Sequence, residues 1–160
     1  MINHVKVSSF SYLCSSNFIL DKFALTDIQV NLLRAFMDGK DAIGVLPTSY
    51  GKSIIYFLAP VVSFQLHSSG HANYHPEAII IVVTPTISLI DDQVKRCTEL
   101  GIKAIQLSKV TDFGNIKESI IFSTPESLLA GKLRKPLRSD SVKERLLGMV
   151  IDEAHLVVKW

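Results

Sequence analysis

The alternation of short apolar runs with helix-like stretches constrains the fold of this chain more than any other feature. Residues 42–46, 78–83, 104–107, 119–122 and 149–151 are apolar runs that predict short buried strands. Helical patterns cover residues 27–37, 52–66, 88–100, 125–129 and 142–147. Apolar strands separated by helices are typical of a parallel sheet that is covered on each side. The sequence therefore predicts an α/β fold with a parallel sheet and helices on both of its faces.

The composition is that of a globular domain with nearly balanced charge. The chain has 160 residues, of which 48% are hydrophobic and 20% charged, which suits one folded domain rather than a disordered segment. A formal net charge of +2 permits a nucleic-acid partner without requiring one. The longest apolar run, residues 78–83, is far shorter than the roughly 20 residues that span a bilayer, so we expect no membrane partner.

Three of the predicted strands end in a proline motif. Leu46-Pro47-Thr48, Thr84-Pro85-Thr86 and Thr124-Pro125-Glu126 each follow an apolar run. Proline cannot continue a strand ladder, and it suits the first turn of a helix. We predict that Thr124 caps the helix after it, and that Ser88 caps the helix at 88–100. Because helix N-termini at the carboxyl edge of a parallel sheet attract anions, this edge is predicted to bind phosphates.

A candidate phosphate-binding loop lies between the run at 42–46 and the next helix. It reads Thr48-Ser49-Tyr50-Gly51-Lys52-Ser53. A loop that surrounds a triphosphate needs inward backbone N–H groups, a cation for the β- and γ-phosphate oxygens, and a hydroxyl for Mg²⁺. Gly51, Lys52 and Ser53 provide these groups, although Ser49 and Tyr50 replace residues that are often glycine. The pattern predicts binding of a nucleoside triphosphate.

A pair of carboxylates follows the last apolar run, in the sequence Asp152-Glu153-Ala154-His155. In P-loop NTPases the loop hydroxyl and an aspartate at a strand end hold the magnesium ion, which are roles for Ser53 and Asp152. Glu153 is placed to orient and deprotonate the attacking water. The alternative is that the two carboxylates only cap a following helix. Together with the loop, they predict hydrolysis of ATP with Mg²⁺.

The motifs resemble, in order, those of RecQ-like superfamily 2 helicases. Asp152-Glu153-Ala154-His155 is similar to the DEAH box, motif II. The other matching segments are 46–53 followed by Ala59-Pro60 for motif I, 83–93 for motif Ia, and 123–129 for motif Ib. The likeness implies a first RecA-like P-loop domain at 18–160, after an N-terminal extension at 1–17.

The resemblance also implies roles for individual residues in a 3′–5′ DNA helicase. Gln29 would read the adenine base and Phe23 would stack on it, while the loop residues 48–53 hold the phosphates of ATP. Lys52, Asp152, Glu153 and His155 would be catalytic, with Ser53 and Asp152 as the Mg²⁺ ligands. Candidate DNA contacts are Thr86, Ser88, Thr124, Ser127 and Trp160, of which Trp160 would act with His155 to couple the ATP state to DNA. The basic run from Lys132 to Arg138 is more simply explained as a solvated loop.

The resemblance further implies that the domain is C-terminally truncated. Helicases of this superfamily have a second RecA-like domain with an arginine finger, and the sequence ends at Trp160 before any such domain. One alternative is a truncated, inactive module that binds nucleotide or nucleic acid without unwinding. Another is a P-loop kinase of a small metabolite, which motifs Ia and Ib disfavour. The helicase interpretation implies roles in DNA repair or recombination, and a location in the nucleus of a eukaryote or otherwise in the cytoplasm.

Overall fold

A computed structural model describes residues 25–47 and 50–154. The chain divides into two compact units, Met1–Pro76 and Glu77–Trp160. The predicted roles of Phe23, Thr48, Ser49, His155 and Trp160, and the predicted extension at 1–17, lie outside the described residues. Within the described part, no helix is both long enough and apolar enough to cross a membrane.

The first unit contains two helices that pack on each other, α1 at Asp27–Met37 and α2 at Lys52–Ser68. Helix α1 begins at a capping box, in which the Thr26 hydroxyl accepts the Gln29 N–H and the Gln29 side chain accepts the Thr26 N–H. Its inward side buries Leu33 and Met37. Helix α2 is apolar over most of its surface and is accordingly buried along much of its length.

The predicted strand at 42–46 is wrong, because these residues form no strand in the structure. Ile43 and Val45 are each 91% exposed. Gly44 instead lies against α1, since a Cβ at this position would come within 2.6 Å of Leu32 Cδ1. An apolar run favours a strand only where a neighbouring strand is available, and this segment pairs with none of the described strands.

The second unit is built on a parallel sheet, as the sequence predicts, and the sheet contains four of the five predicted strands. Its strands are β1 at Ile79–Val83, β2 at Ala104–Gln106, β3 at Ile120–Ser123 and β4 at Leu146–Ile151. Their spatial order is β2-β3-β1-β4. The helices are α3 at Ile87–Glu99, α4 at Pro125–Leu129 and α5 at Asp140–Lys143, with 3₁₀ turns at Leu107–Lys109 and Pro136–Arg138. This arrangement confirms the parallel α/β class.

The core of this unit lies against the two central strands. All five residues of β1 and all four of β3 are buried, so both faces of these strands are covered. One buried cluster is formed by Ile79, Ile81, Leu107, Ile116, Ile121 and Leu133. A strand that is buried on both faces needs apolar residues at every position, which is why the runs at 78–83 and 119–122 do not alternate with polar residues.

The predicted boundaries near β4 and at the start of α3 differ from the structure. The helix expected at 142–147 is a single turn, because Leu146 already pairs with Ile79 in the ladder between β4 and β1. The register then shifts, so that Ile80 pairs with Gly148, a bulge that the apolar pattern does not reveal. The cap of α3 is Thr86, whose hydroxyl accepts the Leu89 N–H, rather than Ser88.

Candidate functional site

The residues of the first unit that were predicted to bind phosphate lie at the N-terminus of α2. Gly51 is the residue before the helix, with φ 69° and ψ 35°, a left-handed conformation that glycine adopts without strain. Lys52 and Ser53 begin the helix, and their side chains are partly buried. The first turn of α2 contains no acidic residue, so no side chain of that turn neutralises its positive end. This end of α2 therefore has the geometry and charge of an anion site.

Tyr50, which stands where a glycine is frequent, causes no backbone strain. Its N–H donates to the Pro47 carbonyl at 3.2 Å, forming a turn before the helix. Glu153 is the one non-glycine residue of the described part with a positive φ, so Tyr50 lies outside the left-handed region. The substitution of a glycine by Tyr50 is therefore compatible with this loop, and the aromatic ring is half-exposed beside it.

Gln29, the predicted reader of adenine, contacts the same loop. Its side-chain nitrogen Nε2 donates to the Tyr50 carbonyl at 2.8 Å and to the Gly51 carbonyl at 3.3 Å. Its oxygen Oε1 accepts the Thr26 N–H at 2.8 Å. Only 6% of Gln29 is exposed. The structure thus brings the predicted base reader to the predicted phosphate loop through direct hydrogen bonds.

Asp152 and Glu153 lie in the second unit, directly after β4. The Asp152 N–H donates to the Val83 carbonyl at 2.9 Å, which extends the pairing with β1, and Asp152 Oδ1 accepts the Glu153 N–H at 3.0 Å. Glu153 has φ 53°, a conformation that costs a residue with a side chain roughly 1–2 kcal/mol. Both side chains are partly exposed. Strain of this kind is often found at functional sites, which agrees with a catalytic role for the pair.

The predicted DNA-contacting residues follow two neighbouring strands at the same sheet edge. Thr86 and Ser88 are exposed at the start of α3, which follows β1. Thr124 and Ser127 lie at the start of α4, which follows β3. Thr124 is buried, and its hydroxyl accepts the Ser127 N–H at 3.3 Å and donates to the Ser127 hydroxyl at 3.2 Å. Thr86 and Ser88 are therefore more accessible to a ligand than Thr124, which mainly caps its helix.

The basic run after α4 is on the surface, as the simpler interpretation predicts. Lys132, Arg134, Lys135 and Arg138 are exposed. Lys132 Nζ donates to the Ser108 carbonyl at 3.2 Å. Exposed charges of this kind contribute little to stability but raise the local positive potential.

Sequence reasoning did not identify two residues near these sites, Thr26 and Thr84. Thr26 orients Gln29 through the capping box, and the Thr-x-x-Gln spacing of 26–29 is a readable signal for that motif. Thr84 is 1% exposed at the end of β1, and its hydroxyl has no hydrogen-bond partner among the described residues. No sequence pattern distinguishes Thr84 from an ordinary strand residue, because its unusual state depends on the packing around it.

Comparison with known proteins gives one family over most of the chain. A family model described as DEAD/DEAH box helicase matches residues 26–160. The chain is 31% identical over 155 residues to "ATP-dependent DNA helicase hus2/rqh1" of Schizosaccharomyces pombe, and 28% identical over 142 residues to "ATP-dependent DNA helicase RecQ" of Synechocystis. It is also 31% identical over 143 residues to "ATP-dependent helicase SGS1" of Saccharomyces cerevisiae.

The relatives are much longer than this chain. The alignments cover 87%, 82% and 82% of the chain, but only 11%, 27% and 9% of the respective relatives. The similarity thus extends over both described units, and it concerns one part of each relative.

Proposed function

This chain belongs to the DEAD/DEAH box helicase family, and we propose that it forms the ATP-binding part of a RecQ-like DNA helicase. The observation that carries the proposal is Gly51 in a left-handed conformation directly before Lys52 and Ser53 at the start of α2. That geometry exposes helix N-terminal amides beside a lysine and a hydroxyl, the groups that bind a triphosphate. In this proposal Lys52 binds the β- and γ-phosphate oxygens, and Thr48 and Ser49 complete the loop.

Asp152 and Glu153 are proposed to support hydrolysis. The carboxylate of Asp152 and the hydroxyl of Ser53 are hard oxygen donors, which suits Mg²⁺ and fits their proposed role as its ligands. A bound Mg²⁺ would neutralise charge on the phosphate oxygens. Glu153 orients the attacking water and accepts its proton. His155 and Trp160 are assigned, by the family resemblance alone, to coupling between ATP and DNA.

DNA is the proposed macromolecular substrate, and the names of the relatives, which are ATP-dependent DNA helicases, support this choice. We propose that exposed Thr86 and Ser88 contact strand phosphates without reading the sequence, with Ser127 of α4 as a further contact. Unwinding with 3′–5′ polarity, a second RecA-like domain that completes the motor, and a location in the nucleus of a eukaryotic source belong to the same proposal.

Calorimetric titration of Mg·ATP into the folded chain tests the nucleotide site. Lys52→Ala is expected to remove most of the binding, because the ammonium group forms charge-assisted contacts with the phosphates. Lys95→Ala is the matched control, since Lys95 is exposed on α3, and it should bind like wild type. Circular dichroism must show that both variants are folded. Equal affinity of Lys52→Ala and wild type would overturn the assignment of the loop.

Fluorescence anisotropy with a labelled single-stranded oligonucleotide tests the DNA surface. We expect weak binding that falls with rising salt concentration, because phosphate contacts release counterions. Ser88→Glu places a negative charge at the start of α3 and should weaken binding further. Ser69→Glu places the same charge at the exposed C-cap of α2 and serves as the control. Equal affinity of the two variants for DNA would contradict the proposed contact at α3.

An inactive binding module is the second candidate. The strained backbone of the partly exposed Glu153 favours the active enzyme over this candidate, because such strain is often found at catalytic sites. Hydrolysis assays on a chain that is joined to a second RecA-like domain separate the two. Turnover that depends on Glu153 supports the enzyme, and ATP binding without turnover supports the inactive module.

A further inference from the structure

The side chain of Gln29 makes hydrogen bonds that a residue dedicated to the base would not need. All of its polar groups contact backbone: Oε1 accepts the Thr26 N–H, and Nε2 donates to the Tyr50 and Gly51 carbonyls. We propose that Gln29 is a positioning residue that orients the phosphate-binding amides of the loop, a role that rests on the nucleotide site proposed above. Phosphate binding itself, and not only the choice of base, then depends on Gln29.

The geometry of the peptide bond explains how this positioning works. In a trans peptide the C=O and the following N–H point in opposite directions. The Tyr50 carbonyl points toward Gln29 Nε2, so the N–H of Gly51 points away from Gln29. The Gly51 carbonyl also points toward Nε2, so the N–H of Lys52 is directed away as well. Two consecutive donors are thus aimed to the side of the loop that is opposite Gln29, which creates a concave anion-binding arrangement.

The position of the amide is itself well determined. The Thr26 N–H requires an acceptor and the two carbonyls require a donor, so the partners fix which end of the amide is oxygen and which is nitrogen. Leu33, which is fully buried, anchors α1 in the first unit. Gly51 is needed for the close approach, because a Cβ at this position would lie 3.0 Å from Nε2. The loop is therefore bonded to the Gln29 side chain, whose oxygen is held by Thr26 and whose nitrogen is held by Tyr50 and Gly51.

The same amide cannot serve the base and both carbonyls at once. A primary amide has two N–H donors, and both are directed at carbonyls here. A base that takes one donor must displace one of these bonds, and the 3.3 Å bond to Gly51 is the longer of the two. Recognition of the base and the geometry of the phosphate loop therefore both depend on the side-chain amide of Gln29. When a base binds, the bond to Gly51 is the one that is displaced, and the bond to Tyr50 remains.

Titration of a ligand that has phosphates but no base separates this role from base reading. Binding of Mg·ATP and of magnesium tripolyphosphate is measured by calorimetry in wild type and in Gln29→Ala. We expect Gln29→Ala to weaken tripolyphosphate binding about five- to tenfold, the scale of one or two lost hydrogen bonds. Met37→Ala is the control for loss of stability, because it removes a buried side chain at the far end of α1. It should lower the melting temperature and leave tripolyphosphate affinity within about twofold of wild type.

Gln29→Glu adds a readout that general destabilisation would not change, and it keeps the test decisive if Gln29→Ala does not fold. An ionised carboxylate can accept the Thr26 N–H but cannot donate to the Tyr50 carbonyl, whereas the protonated acid has one O–H to donate. Burial and the two facing carbonyls favour the protonated acid at this position. The tripolyphosphate affinity of Gln29→Glu, expressed as a fraction of the wild-type affinity at the same pH, should therefore be higher at pH 5 than at pH 8. A ratio that does not change with pH would contradict the role of the donor.

The outcomes distinguish the positioning role from the function on which it rests. If wild type binds both ligands and Gln29→Ala weakens only ATP, Gln29 reads the base and the positioning role is refuted, while the proposed function stands. If wild type binds neither ligand, the nucleotide site is refuted together with the positioning role. Parallel loss of ATP and tripolyphosphate affinity in Gln29→Ala, with normal binding by Met37→Ala, is the result that we expect.

Discussion

Glu153 allows the backbone strain at the carboxylate pair to be measured. Its φ of 53° costs a residue with a Cβ roughly 1–2 kcal/mol, a cost that glycine does not have. Glycine in turn loses about 0.5–1 kcal/mol through its greater freedom in the unfolded chain. Glu153→Gly should therefore be more stable than Glu153→Ala by about 0.75 kcal/mol, the difference between the midpoints of these two ranges. The comparison of these two variants cancels whatever the carboxylate itself contributes, since both lack it.

Lys95 provides the matched control, because it is exposed in the middle of α3. In a regular helix the order reverses, and Lys95→Gly should be less stable than Lys95→Ala by about 1 kcal/mol. The four free energies of unfolding come from urea titrations that are followed by circular dichroism. A difference of 1 kcal/mol corresponds to about 2–4 °C in melting temperature for a chain of this size. If Glu153→Gly is no more stable than Glu153→Ala, the strain does not exist in solution.

Three further predictions concern turnover, packing and pH. Glu153→Gln, in a chain joined to a second RecA-like domain, should bind ATP normally but hydrolyse it at least about 10²-fold more slowly, and a near-normal rate would exclude Glu153 as the base. Gly44→Ala should change the free energy of unfolding by no more than about 0.5 kcal/mol, because the Leu32 methyl group that the new Cβ would meet ends a partly exposed side chain that can turn away, and a larger loss in urea titration would contradict this. Burial raises the pKa of the Cys97 thiol to about 12, so the stability it contributes is full below pH 9 and falls as the pH rises from 9 toward 12. Cys97→Ala should flatten that part of the curve of unfolding free energy against pH, and an unchanged slope would exclude the thiol as its source.

Local signals in the sequence predicted the elements that have clear end residues. Helix α1 runs over the predicted 27–37, and α4 over the predicted 125–129. In α4, Thr124 caps the helix and Pro125 is its first residue, as expected from residues whose side chains and rings act within one turn. The central strands were recognisable because burial on both faces requires continuous apolar runs.

Features that depend on distant neighbours were not predictable in the same way. The run at 42–46 has the composition of a strand but pairs with no described strand, and its side chains at 43 and 45 are exposed. The bulge between β1 and β4 depends on how Leu146 and Gly148 align with another strand. Periodicity within one segment contains no information about its partner.

The sequence predicted which residues form the candidate site better than it predicted their contacts and backbone angles. The predicted start of a helix at Lys52, directly after Gly51, is confirmed, because a helix start depends on residues that are neighbours in the chain. The contact of Gln29 with the loop joins residues that are 21 and 22 positions apart, and the family resemblance implied only a contact with the base. The strain at Glu153 was likewise invisible, since backbone angles at a strand end depend on the tertiary turn.

The most direct test of the account is the rate of ATP hydrolysis with and without single-stranded DNA. It is measured on residues 1–160 alone and on the same residues joined to a second RecA-like domain. We predict a rate near background for residues 1–160, because a partner arginine can contribute about 10³–10⁵ in related phosphoryl-transfer enzymes. For the joined chain we predict hydrolysis that DNA stimulates and that Lys52→Ala abolishes. Hydrolysis by the joined chain that is independent of both DNA and Lys52 would contradict the assignment of this chain as the ATP-binding part of a DNA helicase.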